Sequence, residues 1–231
     1  MLEIKNLKKS YSLSFTLNIQ ELNINNNESF GLVGNNGAGK TTLFRLILDL
    51  IQANEGEILS NGKIVAYSEH WKQYTGSFLD ENFLIEFLTP KEYFEFVASL
   101  NGLNKKDVED FITKYSEFLG DDLIKSNKYI RDLSKGNQSK VGIISALIGE
   151  PEIIVLDEPF AHLDPSAQIR LKNILIDLRK NKNRTLLISS HDLKHVTEVC
   201  ERIVVLENGS VKMDLLTNPE TLKELENYFS V

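Results

Sequence analysis

Eight consecutive residues, Gly34-Asn35-Asn36-Gly37-Ala38-Gly39-Lys40-Thr41, have the types and spacing to hold a polyphosphate. They fit G-x-x-x-x-G-K-[ST], the pattern of a phosphate-binding loop. A polyphosphate packs several negative charges into a small volume. A loop holds it by pointing many backbone N–H groups inward, and side chains would block that approach. Gly34, Gly37 and Gly39 keep the backbone bare and free to take positive φ. Lys40 adds a mobile charge for the β- and γ-phosphates, and the Thr41 hydroxyl is a ligand for Mg²⁺.

Three further groups supply what a phosphate loop lacks. The apolar run Ile153-Ile154-Val155-Leu156 ends in Asp157 and Glu158. Hydrolysis needs a metal and an oriented water. Asp157 is placed to hold Mg²⁺ through its water, and Glu158 to polarise the attacking water. His191 follows Leu186–Ser190 and is placed to reach a γ-phosphate. In Leu133-Ser134-Lys135-Gly136-Asn137, Ser134 is a helix cap ahead of Val141, Ile144 and Ile148. A hydroxyl, a glycine and free helix N–H groups make a second anion site. One compact domain cannot easily bring both anion sites onto one phosphate; a second copy can.

The elements that must position these groups are legible in the apolar spacing. Glu28–Val33 reads as a buried strand running into the loop, and Leu43, Leu46, Ile47 and Leu50 as one face of the helix after it. Strand, glycine loop and helix together put phosphates at a helix N-terminus. Leu2–Lys5 and Phe15–Ile19 alternate as half-buried strands do. Glu57–Leu59 and Lys63–Tyr67 flank Asn61-Gly62, a hairpin signal. From Pro90 the pattern is helical, with Tyr93, Phe94, Phe96, Val97 and Leu100, then Phe111, Ile112, Tyr115, Phe118 and Leu119; its aromatic positions read as core packing. Asp164-Pro165 reads as cap and first turn of a helix with Leu171, Ile174, Leu175 and Leu178 on one face. Thr185–Ser189 and Ile203–Leu206 are further strands, and the alternation implies a mostly parallel sheet.

The composition bounds the rest. With 231 residues, 42% hydrophobic and 26% charged, the chain is long enough for a substantial core. A net charge of −7 argues against broad nucleic-acid or anionic-lipid binding. Cys200 is the single cysteine, which excludes an intrachain disulfide and a cysteine metal cluster, fits a cytosolic setting and reads as packing. No apolar run approaches the roughly twenty residues that span a bilayer, and the N-terminus has no signal-peptide pattern, so a membrane role must come through a partner.

Taken together, these residues resemble the nucleotide-binding domain of the ATP-binding cassette (ABC) family, over almost the whole chain and in family order. Gly34–Thr41 is similar to Walker A, Ile153–Glu158 to Walker B with its catalytic glutamate, and Leu133–Asn137 to the signature usually written LSGGQ. Ala161–Asp164 is similar to the D-loop and His191 to the switch histidine. Two departures stand out. The signature carries Lys135 and Asn137 where the family has Gly and Gln, while Ser134 and Gly136 are retained. In Gly76–Glu81, Asp80 falls where the family's Q-loop has Gln; a register one residue later selects Glu81 instead.

The resemblance implies an α/β fold: a P-loop NTPase core with a mostly parallel sheet, an N-terminal antiparallel β region and an inserted helical subdomain. Residues 1–89 and 150–231 would form the core and about 90–149 the subdomain. It implies ATP and Mg²⁺ as cofactors. Tyr11, Asn35, Asn36, Gly37, Ala38, Gly39, Lys40, Thr41, Thr42, Ser134, Gly136 and Asp164 would bind nucleotide, with Tyr11 stacking on adenine. Thr41, Asp80 and Asp157 would hold the metal, and Glu158, His191 and Lys40 would act in catalysis. The implied partners are transmembrane permease subunits and a second copy or a second ABC subunit, with no nucleic acid. The implied location is the cytoplasmic face of a membrane. Phe83, Leu84, Ile85 and Phe87 serve either docking or packing. The Leu-Ser-Lys-Gly signature is similar to exporter-type cassettes; a non-transport ABC ATPase, such as one of iron–sulfur assembly, is the alternative.

Overall fold

A computed structural model of the chain describes residues 1–12, 15–180 and 183–230. The strands are β1 (Leu2–Ser12), β2 (Phe15–Ile24), β3 (Ser29–Val33), β4 (Glu55–Ser60), β5 (Lys63–Ile64), β6 (Thr75–Phe78), β7 (Ile153–Leu156), β8 (Thr185–Ser190), β9 (Arg202–Glu207) and β10 (Ser210–Leu216). The helices are α1 (Lys40–Ile47), α2 (Pro90–Leu100), α3 (Lys105–Lys114), α4 (Ser116–Leu119), α5 (Asp121–Ile124), α6 (Lys135–Ser145), α7 (Pro165–Lys180), α8 (Leu193–Val199) and α9 (Thr221–Phe229). Among the described residues no helix is long and apolar enough to cross a membrane.

Two sheets divide the strands. One is antiparallel in the order β2-β1-β4-β5; the other runs β10-β9-β3-β8-β7-β6 and is parallel except at its β10 edge. The central strands β9, β3, β8 and β7 are buried on both faces and read as largely apolar runs. Ile153, Val155, Leu187, Val204 and Leu206 face the antiparallel sheet and α1. Ile154, Leu156, Leu186, Ile188, Ile203 and Val205 face the helices. Alternation within each strand therefore supplies two cores from one sheet.

The parallel pairing brings the carboxyl ends of β3, β7 and β8 to one edge, with Val33 level with Ser190 and Leu156 with Ile188. The phosphate loop, Asp157-Glu158 and His191 all leave the sheet there. Local chemistry fixes the starts of three helices. Thr89 and Glu92 form a reciprocal capping box at α2, with Pro90 in the first turn. Ser134 caps α6 by accepting the Asn137 N–H at 3.3 Å, and Asp164 caps α7 by accepting the Ala167 N–H at 3.0 Å.

Several expectations need correction. The strands read as Leu2–Lys5 and Phe15–Ile19 extend to Ser12 and Ile24. The strand expected over Lys63–Tyr67 stops at Ile64; Tyr67 takes a left-handed φ of 58° and donates its N–H to Asp49. Helix α1 stops at Ile47 because Asp49 takes φ 50°, which leaves Leu50 off the helix and exposed. In the helical stretch Phe94 and Phe118 are core, but Phe96 and Leu100 are exposed. Strand β6 has no apolar pattern to announce it. Its Gly76 lies so close to helix-end Ala146 that an added Cβ would sit 1.9 Å from the Ala146 carbonyl oxygen. Gly76→Ala should therefore cost about 1–3 kcal/mol in a denaturant titration, as overpacking does. Gly62→Ala, with open space but φ 75°, should cost about 1 kcal/mol.

Candidate functional site

The loop between β3 and α1 takes its shape from its glycines. Gly37 and Gly39 have φ of 85° and 109°, conformations that L-residues with a Cβ rarely adopt. Gly34 has a different reason to be glycine: a Cβ there would lie 2.2 Å from the Leu206 carbonyl oxygen of β9. The expectation of positive φ is thus met at two of the three, and Gly34 serves close packing. The loop walls a cavity of about 420 Å³, lined also by Tyr11, Phe15 and Glu158. Tyr11 stands on β1 with its ring exposed and the Lys9 ammonium 5.4 Å from the ring centroid. Asn35, Asn36, Ala38 and Thr42, read from the sequence as nucleotide-binding, also line the cavity.

Charge is concentrated at the cavity floor. Lys40 is only 7% exposed, donates to the Gly34 carbonyl at 2.7 Å and lies 3.3 Å from Glu158 Oε1. The other Glu158 oxygen is 2.8 Å from His191 Nδ1 and accepts the His191 N–H at 3.2 Å. Glu158 therefore bridges the loop lysine and the residue after β8. It does so from a left-handed backbone, φ 47°, which is costly for a side chain of this kind and common at functional sites.

Asp157 is buried beside it. Thr41 Oγ1 donates to Asp157 Oδ2 at 2.5 Å, and the Ser189 hydroxyl donates to Oδ1. Ser189 in turn accepts the Glu158 N–H at 2.9 Å. Burial pushes the Asp157 carboxyl above its ordinary range; the Ser189 and Thr41 hydroxyls oppose that, Glu158 adds to it and Lys40 reduces it. A buried acid with incomplete compensation, next to a threonine hydroxyl, is a donor set that fits a divalent cation. A lysine ammonium buried at the head of a glycine loop fits the phosphates.

The remaining predicted residues lie elsewhere. Asp80 follows β6, where its carboxylate accepts the Asn82 N–H at 2.8 Å and pairs with Arg45 at 3.7 Å. Ser134 and Gly136 begin α6 and, among the described residues, are not part of the cavity lining. Gly136 is packed against the D-loop, since a Cβ would lie 2.6 Å from the His162 carbonyl oxygen. Asp164 spends its carboxylate on α7, accepting from Ser166 at 2.6 Å as well as from Ala167. In the segment after β6, Leu84 is buried while Phe83, Ile85 and Phe87 are 51%, 38% and 59% exposed.

Sequence reasoning missed Ser189. Its signal was a pair of serines closing an otherwise apolar strand, Thr185–Ser190. Sequence reasoning also missed Phe15, which lines the cavity with Tyr11.

A P-loop fold with a carboxylate pair at the end of β7, one strand beyond β8, defines a nucleoside-triphosphate-binding protein. The comparisons narrow the class. The family model described as ABC transporter matches residues 17–161. An ABC transporter ATP-binding protein, YhaQ of Bacillus subtilis, is 38% identical over 210 residues, covering 90% of this chain and 69% of that protein. The tungstate uptake system ATP-binding protein TupC of Peptoclostridium acidaminophilum is 31% identical, covering 90% of this chain and 95% of that one. The chain spans 66%, 63% and 61% of three other relatives of its kind, so they carry sequence beyond it. A solved ATP-binding subunit of an ABC transporter superposes with a TM-score of 0.82 at 28% identity, covering 100% of this chain and 93% of that one. This chain belongs to the ABC transporter ATP-binding family.

Ser189→Ala would leave the Glu158 N–H without its acceptor and remove one donor from Asp157. Removing a group that orients a metal ligand typically weakens metal affinity 10–100-fold. The Mg²⁺ titration of ATP binding should shift to higher Mg²⁺ by about tenfold, and the thermal midpoint should fall, because buried polar groups are left unpaired. An unchanged titration would show that Ser189 does not orient the metal-side acid.

Proposed function

We propose that the chain binds ATP with Mg²⁺ and hydrolyses it as the energy-supplying subunit of a membrane transporter, two copies closing head to tail around two nucleotides. The observation that carries this reading is the bridge Lys40–Glu158–His191 set beside Thr41–Asp157. It assembles phosphate grip, metal acid, base and base-orienting group at one sheet edge.

The residues divide the work as follows. The loop N–H groups and Lys40 bind the triphosphate, and Tyr11 offers its exposed ring to adenine. Thr41 and Asp157 would hold Mg²⁺, which when bound neutralises charge on the phosphate oxygens. Asp80, just after β6, the strand that pairs with β7, would be the further acid for that metal or its water, once freed from Arg45. Glu158 takes the proton of the attacking water, and His191 fixes the carboxylate's orientation. Lys40 exchanges Glu158 for phosphate as nucleotide enters, which frees the base. Ser134 and Gly136 of a second copy complete each site, and Asp164 holds the D-loop between them. Closure is favoured because only the closed state makes both sets of phosphate contacts.

Residues 1–89 and 150–231 act as the ATPase core and 90–149 as the subdomain that carries the signature. Exposed Phe83, Ile85 and Phe87 support docking of separate permease subunits, which would hold the chain at the cytoplasmic face of a membrane. The Leu-Ser-Lys-Gly signature supports export; TupC's own name places that relative in uptake, so only transport by the assembled complex decides direction.

Glu158→Gln should keep ATP binding and lose turnover by about 100-fold or more, the scale of a missing general base. Size-exclusion chromatography should show ATP-dependent dimers accumulating. Near-normal turnover would remove Glu158 from the role of base. Lys40→Ala should fail earlier: a fluorescent ATP analogue should bind it far more weakly than the parent. Equal affinity would overturn the phosphate role of Lys40.

A further inference from the structure

Lys135 stands at the first position of α6, between the two signature residues Ser134 and Gly136. A cation is misplaced there by helix electrostatics, because the N-terminal end already carries partial positive charge. The structure supplies the anion that compensates it. Lys135 Nζ lies 3.6 Å from Glu81 Oε2, and the other Glu81 oxygen accepts the Ser139 hydroxyl at 2.8 Å. Ser139 is one turn further along α6 and buried. The two partners differ in freedom: the Glu81 side chain is 13% exposed and that of Lys135 is 61% exposed. Glu81 is thus a fixed carboxylate, and Lys135 a long arm that can leave it.

Glu81 belongs to the segment that carries exposed Phe83, Ile85 and Phe87. That segment also grips the chain just before the signature, where the Ile130 N–H donates to Leu88 O at 2.8 Å and the Arg131 N–H to Glu86 O at 3.2 Å. The signature is therefore held on both sides by residues 81–88.

We propose that Glu81 is a positioning residue that holds Lys135 in reserve, and that dimer closure transfers the Lys135 ammonium from Glu81 to the terminal phosphate bound by the other copy. The inference rests on the shared-site reading above and adds a regulatory contact to it. Exchange of one anion for another keeps Lys135 paired throughout. Displacement of the 81–88 segment by a docked partner would loosen Glu81 and favour the transfer.

The test measures the ATP concentration that half-saturates dimer formation, in the Glu158→Gln chain so that nucleotide is not consumed. Lys135→Ala should raise that midpoint and Lys135→Arg should restore it. Glu81→Gln keeps the Ser139 hydrogen bond but loses the charge; it should lower the midpoint by roughly two- to five-fold, the range an exposed ion pair supports. In the Lys135→Ala background the same Glu81→Gln change should do nothing. An equal Glu81→Gln effect in both backgrounds, or a Lys135→Ala midpoint no higher than the parent's, overturns the proposal. If Glu81→Gln lowers the thermal midpoint of the fold, the Lys135→Ala and Lys135→Arg pair decides alone, and equal midpoints overturn it. Absence of any ATP-dependent dimer in the Glu158→Gln parent overturns the shared-site reading and this inference with it.

Discussion

A buried carboxylate, Asp157, is the joint on which the site depends. Its two oxygens take the hydroxyls of Thr41 on α1 and Ser189 on β8, and its own N–H is donated to Phe78 O of β6 at 2.9 Å. Four elements that are remote in sequence therefore meet at one residue. Burying an acid is costly unless it is paired and hydrogen-bonded. The surroundings offset part of that cost through hydroxyls and Lys40, and the uncompensated remainder is a basis for proposing a divalent cation there. Placement of Glu158 follows from the same joint, because Ser189 holds both Asp157 and the Glu158 N–H.

The parallel sheet makes this convergence possible. Strands β3, β7 and β8 end together, so the loop, the acid pair and His191 need only short excursions to meet. The signature turn is carried on α6 and is held by the segment after β6. Its hydroxyl and free N–H groups are absent from the cavity lining among the described residues. A chain that builds one good half-site and presents a second half-site elsewhere has the geometry of a shared active site, which is the basis for proposing a dimer.

Much of this was legible in sequence because the chemistry is local there. The phosphate loop, the Ile153–Glu158 run and the caps Ser134 and Asp164 are contiguous patterns whose local geometry follows from residue type. What stayed hidden depends on contacts between distant segments. Gly34 looks like a conformational glycine but is a packing glycine, because β9 passes behind it. Strand β6 contains only one large apolar residue, Phe78, and is defined by its pairing with β7. The attachment of Glu81 to Ser139 and Lys135 joins residues more than fifty positions apart, and no pattern announces it. The family resemblance offered Asp80 and, one residue later, Glu81, while the pairing of Glu81 with Ser139 and Lys135 emerged only from the fold.

The central claim is that each ATP site joins the loop of one copy to the signature of the other. Two covalently linked dimers test it most directly through their ATPase rates. One carries Lys40→Ala in one half and Ser134→Arg in the other; the second carries both changes in the same half and none in the other. Sites shared between copies leave the first with one intact site and the second with none, so the first should hydrolyse ATP and the second should be inactive. Activity in the second and none in the first would contradict the account, because it would mean that each copy completes its own site.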